Sequence, residues 1–175
     1  IHSYSLIHDD LPCMDDDTMR RGKPTTHIKF GEASAVLAGS SLLTLAFEII
    51  TDKKYILNSK SKNEIVRFLA ACSGHTGIAG GQELDLKFEN KKKNFNQIID
   101  MQKKKTGKLF NFCLYAVGVV GNKSNKEKYF LSNLGEEIGL LFQLADDFLD
   151  IKSTNKLTGK IMKKDNKKGK STLLN

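Results

Sequence analysis

Tryptophan is absent from the sequence, there are only two prolines, and the three cysteines, Cys13, Cys72 and Cys113, fall at no metal-ligand spacing. An odd cysteine count without such spacing argues against a disulfide-stapled secreted scaffold and for a reducing compartment, the cytoplasm. No run of 18 apolar residues is present, and the opening "IHSYSLIH" has neither the basic start nor the apolar stretch of a signal peptide. The expectation is a soluble protein without stable membrane insertion. Arginine is scarce too: of 28 basic residues only Arg20, Arg21 and Arg67 are arginines. The net charge of +8 comes from lysines in "KKKN", "KKKTGK" and "KKDNKKGK", with no aromatics between them. That pattern fits a solvated surface, not a nucleic-acid groove.

What is present is helical patterning. Ser61-x-x-Glu64, Asn94-x-x-Gln97 and Ser124-x-x-Glu127 each have the form of a capping box, predicting helix starts near 62, 95 and 125. A further helix is predicted over 32–50, after a loop punctuated by Gly22, Pro24 and Gly31. Period-two strands and solenoid repeats are missing, so the fold class is all-α. With 39% hydrophobic residues, the 175-residue length suits one core and a single domain over 1–175. "ENKKKN", residues 89–94, reads as an exposed connection within it. In the last predicted helix Leu131, Leu134, Ile138, Leu141, Ala145 and Phe148 step by three and four and are expected to form one buried stripe. The sequence opens on Ile1 partway along a helical pattern and reads as an internal fragment.

Against the lysine background, "HDDLPCMDDD", residues 8–17, packs five aspartates into ten positions. Asp9 and Asp15 are six residues apart, about 240° around an ideal helix, so a straight helix would point them apart. Pro12 disfavours helical geometry at Leu11 and removes a donor. The helix is therefore expected to end near Asp10, with the loop folding Asp15 back towards Asp9. Surface N-capping by Asp15, Asp16 or Asp17 is the plain alternative, and the alternating pattern of a calcium loop is missing. In "FQLADDFLD", Gln143, Asp146, Asp147 and Asp150 form a polar stripe. Acids on adjacent turns repel by about a few tenths of a kcal/mol per pair, so a solvated or lysine-paired acidic face competes with a functional one. Hard oxygen donors without a histidine or thiol cage suit magnesium, which binds through one or two carboxylates plus substrate phosphates. Two of the three arginines stand together three residues beyond the first cluster, and arginine offers phosphate a planar fork that lysine cannot copy. The combination implies a metal-bridged substrate with clustered phosphate charge.

Taken in order, "DDLPCMD", "RRGKPTTH", "GGQELD", "KTGKLF" and "FQLADDFLD" resemble the motifs of the trans-prenyltransferases, the polyprenyl diphosphate synthases, over nearly the whole chain. The two residues inserted in the first motif, Pro12 and Cys13, with Tyr4 five positions before Asp9, resemble the bacterial-type farnesyl diphosphate synthases in particular. The resemblance implies an isoprenoid-synthase helical bundle around a central cavity, here truncated at both ends, and a homodimer. It implies Asp9, Asp15, Asp146 and Asp150 as magnesium ligands. Asp10 and Asp147 complete the catalytic acids, beside Lys105. Arg20 would bind the allylic diphosphate, and Arg21 and His2 the isopentenyl diphosphate. Lys105, Thr106, Gln143, Lys160 and Lys170 would contact the allylic substrate, and Tyr4 would set product length. The tail departs from the family at Lys163, where a glycine is usual. The upstream glycine-lysine-arginine element and the closing helices of the family are not in these residues.

The implied chemistry is ionisation of an allylic diphosphate, attack by the isopentenyl double bond and proton loss to the released diphosphate, giving a product five carbons longer. No nucleophilic triad is needed. Alternatives are a geranylgeranyl diphosphate synthase, a terpene cyclase, an HD-type phosphohydrolase built on His8 and Asp9, and a non-catalytic regulatory prenyltransferase subunit. A cyclase gives no reason for both arginines. The phosphohydrolase wants more histidines than the sequence offers, and a regulatory subunit would be expected to lose acids that are intact here.

Overall fold

The computed structural model describes residues 1–152, which form two compact units, residues 1–55 and 56–152. The first holds helices α1 (His2–Asp9), α2 (Thr26–Phe30) and α3 (Glu32–Thr51) and a two-stranded antiparallel hairpin, β1 (Met19–Arg20) with β2 (Lys23–Pro24). The hairpin is a small addition to the predicted all-α fold. Its two-residue loop places Arg21 at φ 53° and Gly22 at φ 74°, the pair of positive values a type I′ turn needs. Strands this short leave no period-two pattern to read. Helix α1 lies on α3 with the His8 ring over Gly39, where an added Cβ would stand 2.2 Å from His8 Nε2. Buried Tyr4, Leu11 and Ala35 complete this small core.

Helix α3 is the one helix among the described residues long and apolar enough, by length and composition, to cross a membrane. A core helix passes the same test. Serines and threonines interrupt its apolar residues, so no unbroken run is visible in the sequence although the average is high.

The second unit holds α4 (Ser59–Ser73), α5 (Ile78–Phe88), α6 (Phe95–Gln102), a π-helical turn (Lys103–Gly107), α7 (Lys108–Val120) and α8 (Asn125–Lys152). The predicted boxes hold at two helices: Asn94 and Gln97 cap α6 reciprocally, and Ser124 and Glu127 do the same for α8. Helix α4 starts earlier, because Asn58 rather than Ser61 is its cap, accepting from Ser61 N at 2.8 Å. Glu64 is drawn elsewhere, accepting from Tyr115 Oη at 2.7 Å and from Lys128 Nζ. Helices α5 and α7 had no clear signal, since paired glycines interrupt the one and the other is apolar almost all round.

The leucine stripe predicted to be buried on α8 is not. Leu134, Ile138, Leu141, Ala145 and Phe148 are exposed, and the buried positions are Lys128, Ser132, Gly135, Gly139 and Asp147. The reason is close backbone approach. A Cβ on Gly135 would lie 2.5 Å from the Phe110 carbonyl oxygen, and one on Gly139 2.7 Å from Gly107 Cα. The glycine face therefore seats against α7 and the π turn, and the larger apolar residues face away from that seam.

Candidate active site

The first acidic motif sits where α1 ends. The Asp15 amide donates to the Asp9 carbonyl at 2.8 Å, and the Asp17 amide to the Asp10 carbonyl at 3.1 Å. This is the fold-back anticipated from Pro12, helped by Asp16 at φ 49°, a conformation aspartate tolerates. Asp9 and Asp15 are half-buried, whereas Asp10 and Asp17 are buried. Asp10 grips Arg20: Nε donates to both carboxylate oxygens, at 2.8 and 2.9 Å, and Nη2 joins them. Asp17 adds a longer ion pair at 3.6 Å. Burial alone would lower the Arg20 pKa, but the bonds and charge of Asp10, with Asp17 and Asp9, outweigh it and raise it.

The turn separates the adjacent arginines. Arg20, in β1, faces inward, and Arg21, in the loop, reaches His2, with Nη2 3.2 Å from His2 Nε2. A guanidinium can only donate, so this nitrogen of His2 accepts and the ring is neutral. Burial and then the charge of Arg21 hold the His2 pKa below its usual value. Tyr4, 7% exposed, packs edge-on against His8 with ring centroids 5.5 Å apart. Burial, then the Asp9 charge, raises its phenol pKa.

In the second unit the π turn carries Lys105 and Thr106. Lys105 Nζ donates to buried Asp85 at 2.6 Å, and Thr106 Oγ1 to Gln143 Oε1 at 2.8 Å. Gln143 Nε2 donates to Asp147 Oδ1 at 2.8 Å and Gln102 Nε2 to Asp147 Oδ2 at 3.0 Å. Asp146 is half-buried beside Asp147, which is 3% exposed. The polar stripe is therefore not one solvated face. Asp85 and Gln102 carried no functional reading from the sequence. Their signal was the spacing of Asp85 after the glycine pair and of Gln102 three residues before Lys105. Lys160 and Lys170 lie outside the described residues, as does the side chain of Asp150.

The profile of the polyprenyl synthetase family matches residues 1–175. The chain belongs to that family. It is 40% identical over 173 residues to the farnesyl diphosphate synthase of Bacillus subtilis, covering 98% of this chain and 58% of that protein. Against the geranylgeranyl pyrophosphate synthase 4 of Arabidopsis thaliana it is 42% identical over 175 residues, covering 98% of this chain and 46% of that one. Among solved structures, the geranyltransferase of Helicobacter pylori complexed with magnesium and isoprenyl diphosphate superposes with a TM-score of 0.90 at 37% identity. That match covers 99% of this chain and 56% of the other. The chain thus spans about half the length of these family members, and its helical fold is theirs.

Among the described residues no group of three or more His, Cys, Asp and Glu is placed to cage an ion. A magnesium site needs no such cage, because one or two carboxylates plus substrate phosphates suffice. Asp9 and Asp15, brought together by a backbone bond and half-exposed, fit that role.

Arg20→Lys should destabilise the protein by about 2 kcal/mol, because buried Asp10 loses a forked, charge-assisted partner that an ammonium cannot replace. Urea unfolding of the two proteins checks this, and an unchanged midpoint would mean the pair contributes nothing net.

Proposed function

We propose that the complete protein condenses isopentenyl diphosphate head-to-tail with dimethylallyl or geranyl diphosphate to give farnesyl diphosphate, with magnesium. The observation that carries this reading is the fold-back of Asp15 onto Asp9 beside the clamped Arg20. It would give a two-carboxylate magnesium site with a guanidinium at its side. Residues 1–175 would serve as one prenyltransferase domain of a cytoplasmic homodimer.

Asp9, Asp15, Asp146 and Asp150 would hold magnesium, with Asp10 and Asp147 supporting them. Magnesium bound there would offset negative charge growing on the departing diphosphate. Lys105, Arg20, Thr106, Gln143 and the tail residues Lys160 and Lys170 would hold the allylic diphosphate and stabilise its departure. Arg21 and His2 would orient isopentenyl diphosphate, whose double bond attacks the allylic carbocation left once the carbon–oxygen bond has broken. The released diphosphate then takes the proton. Apolar walls would keep water from the cation.

The test supplies the complete protein with magnesium, dimethylallyl diphosphate and labelled isopentenyl diphosphate, and identifies products by chain length. A fifteen-carbon product is expected. A twenty-carbon product would favour the geranylgeranyl reading, which the likeness to the Arabidopsis protein supports, and no label in any prenyl product would overturn both.

Tyr4 is proposed to set product length. It lies five residues before Asp9 on α1, so its backbone is about 7.5 Å from the metal end. One isoprene unit extends the tail by about 5 Å, so a ring near that depth would limit the tail to a small number of units. Tyr4→Ala should yield geranylgeranyl or longer diphosphates. An unchanged fifteen-carbon product from the folded variant would rule Tyr4 out as the floor.

A further inference from the structure

Gln102 is the last residue of α6, directly before the π turn, and is 3% exposed. Its Nε2 donates to Asp147, whose other oxygen accepts from Gln143, whose Oε1 accepts from Thr106. This chain has a fixed direction. A carboxylate only accepts, so both glutamines must turn their NH2 groups to Asp147. Gln143 is then left with its oxygen towards Thr106, which gives it the hydroxyl proton. The Thr106 hydroxyl thereby ties the π turn to α8, and Lys105, the neighbouring residue, is presented from that tethered turn. Gln102 Oε1 is buried without a hydrogen-bond partner among the described residues. Among the described residues the bond that fixes the Gln102 amide is the one from Nε2 to Asp147.

We propose that Gln102 is a positioning residue for the diphosphate site: through Asp147, Gln143 and Thr106 it fixes the π turn that carries Lys105. The inference rests on the reading above in taking Lys105 as a diphosphate contact. It gives buried Asp147 the work of a hydrogen-bond hub. π turns inserted in α-helices are rare and recur at functional sites.

The test uses two variants of the complete protein. Gln102→Glu sets a second carboxylate against Asp147, and Gln102→Met keeps the bulk but removes the donor. Both should raise the KM for the allylic diphosphate and the calorimetric Kd for inorganic diphosphate with magnesium by about tenfold, the scale of one lost charge-assisted hydrogen bond. The KM for isopentenyl diphosphate should stay within about twofold, and the ligand-free melting temperature of Gln102→Met should fall only by the modest amount that one lost hydrogen bond to a buried carboxylate implies. A purely structural role would lower the melting temperature and leave KM and Kd at parental values. Parental diphosphate affinity in folded Gln102→Met would overturn the proposal, and Gln102→Met decides the matter if Gln102→Glu does not fold. Should the parent bind magnesium diphosphate yet form no prenyl product, the functional reading fails while the binding comparison still decides the role of Gln102.

Discussion

Asp9→Asn in the complete protein is expected to lower condensation turnover at least about a hundredfold, the scale of losing one preorganised electrostatic element. The fold should survive the change. What ties the loop to residue 9 is the Asp9 backbone carbonyl accepting from the Asp15 amide, and an asparagine keeps that carbonyl. The substitution removes a negative charge and an anionic oxygen, the two properties a magnesium ligand supplies. Asp146→Asn, half-buried on α8, should cost a similar factor. Turnover at saturating substrates, measured against magnesium concentration, checks both. Near-parental activity in the two variants would remove the metal assignment. Calcium should substitute poorly, since its longer and looser coordination misplaces the diphosphate.

Gly81→Ala should destabilise the protein by about 2 kcal/mol or more, although alanine is the better helix former by about 1 kcal/mol. Gly81 is on α5, where an added Cβ would stand 2.2 Å from Lys105 N and 2.5 Å from Lys105 Cα. These are backbone atoms of the π turn, so no side-chain rotation relieves the overlap, and either α5 or the turn must shift. The Lys105–Asp85 bond of 2.6 Å spans the same two elements. The substitution should therefore raise the KM for the allylic diphosphate together with its effect on the urea midpoint. A variant as stable as the parent would mean that the seam can open without cost.

Much of the candidate site was legible because its signals are local. Pro12 ends α1 through its own ring and missing amide, and the return of Asp15 follows within six residues. The Asn94 and Ser124 boxes also close within one helical turn and stand where the spacing predicted them. The α4 start failed at the first non-local competitor, because Tyr115 and Lys128 claim the Glu64 carboxylate from 51 and 64 residues away.

Residue type and short-range spacing carried the helical class, the family motifs and the candidate acids, since helix periodicity, proline stops and capping act over a few residues. Packing carried the division of labour within them. The turn at Arg21–Gly22 sends adjacent arginines to different partners, and burial makes Asp10 and Asp147 acceptors for Arg20 and for two glutamines. The same holds for α8, where three-and-four stepping defines an apolar face but glycines at 135 and 139 choose the seam. A repeat along one helix says which residues share a side. Which side is buried depends on how closely another backbone can approach, and that is settled by residues distant in the chain.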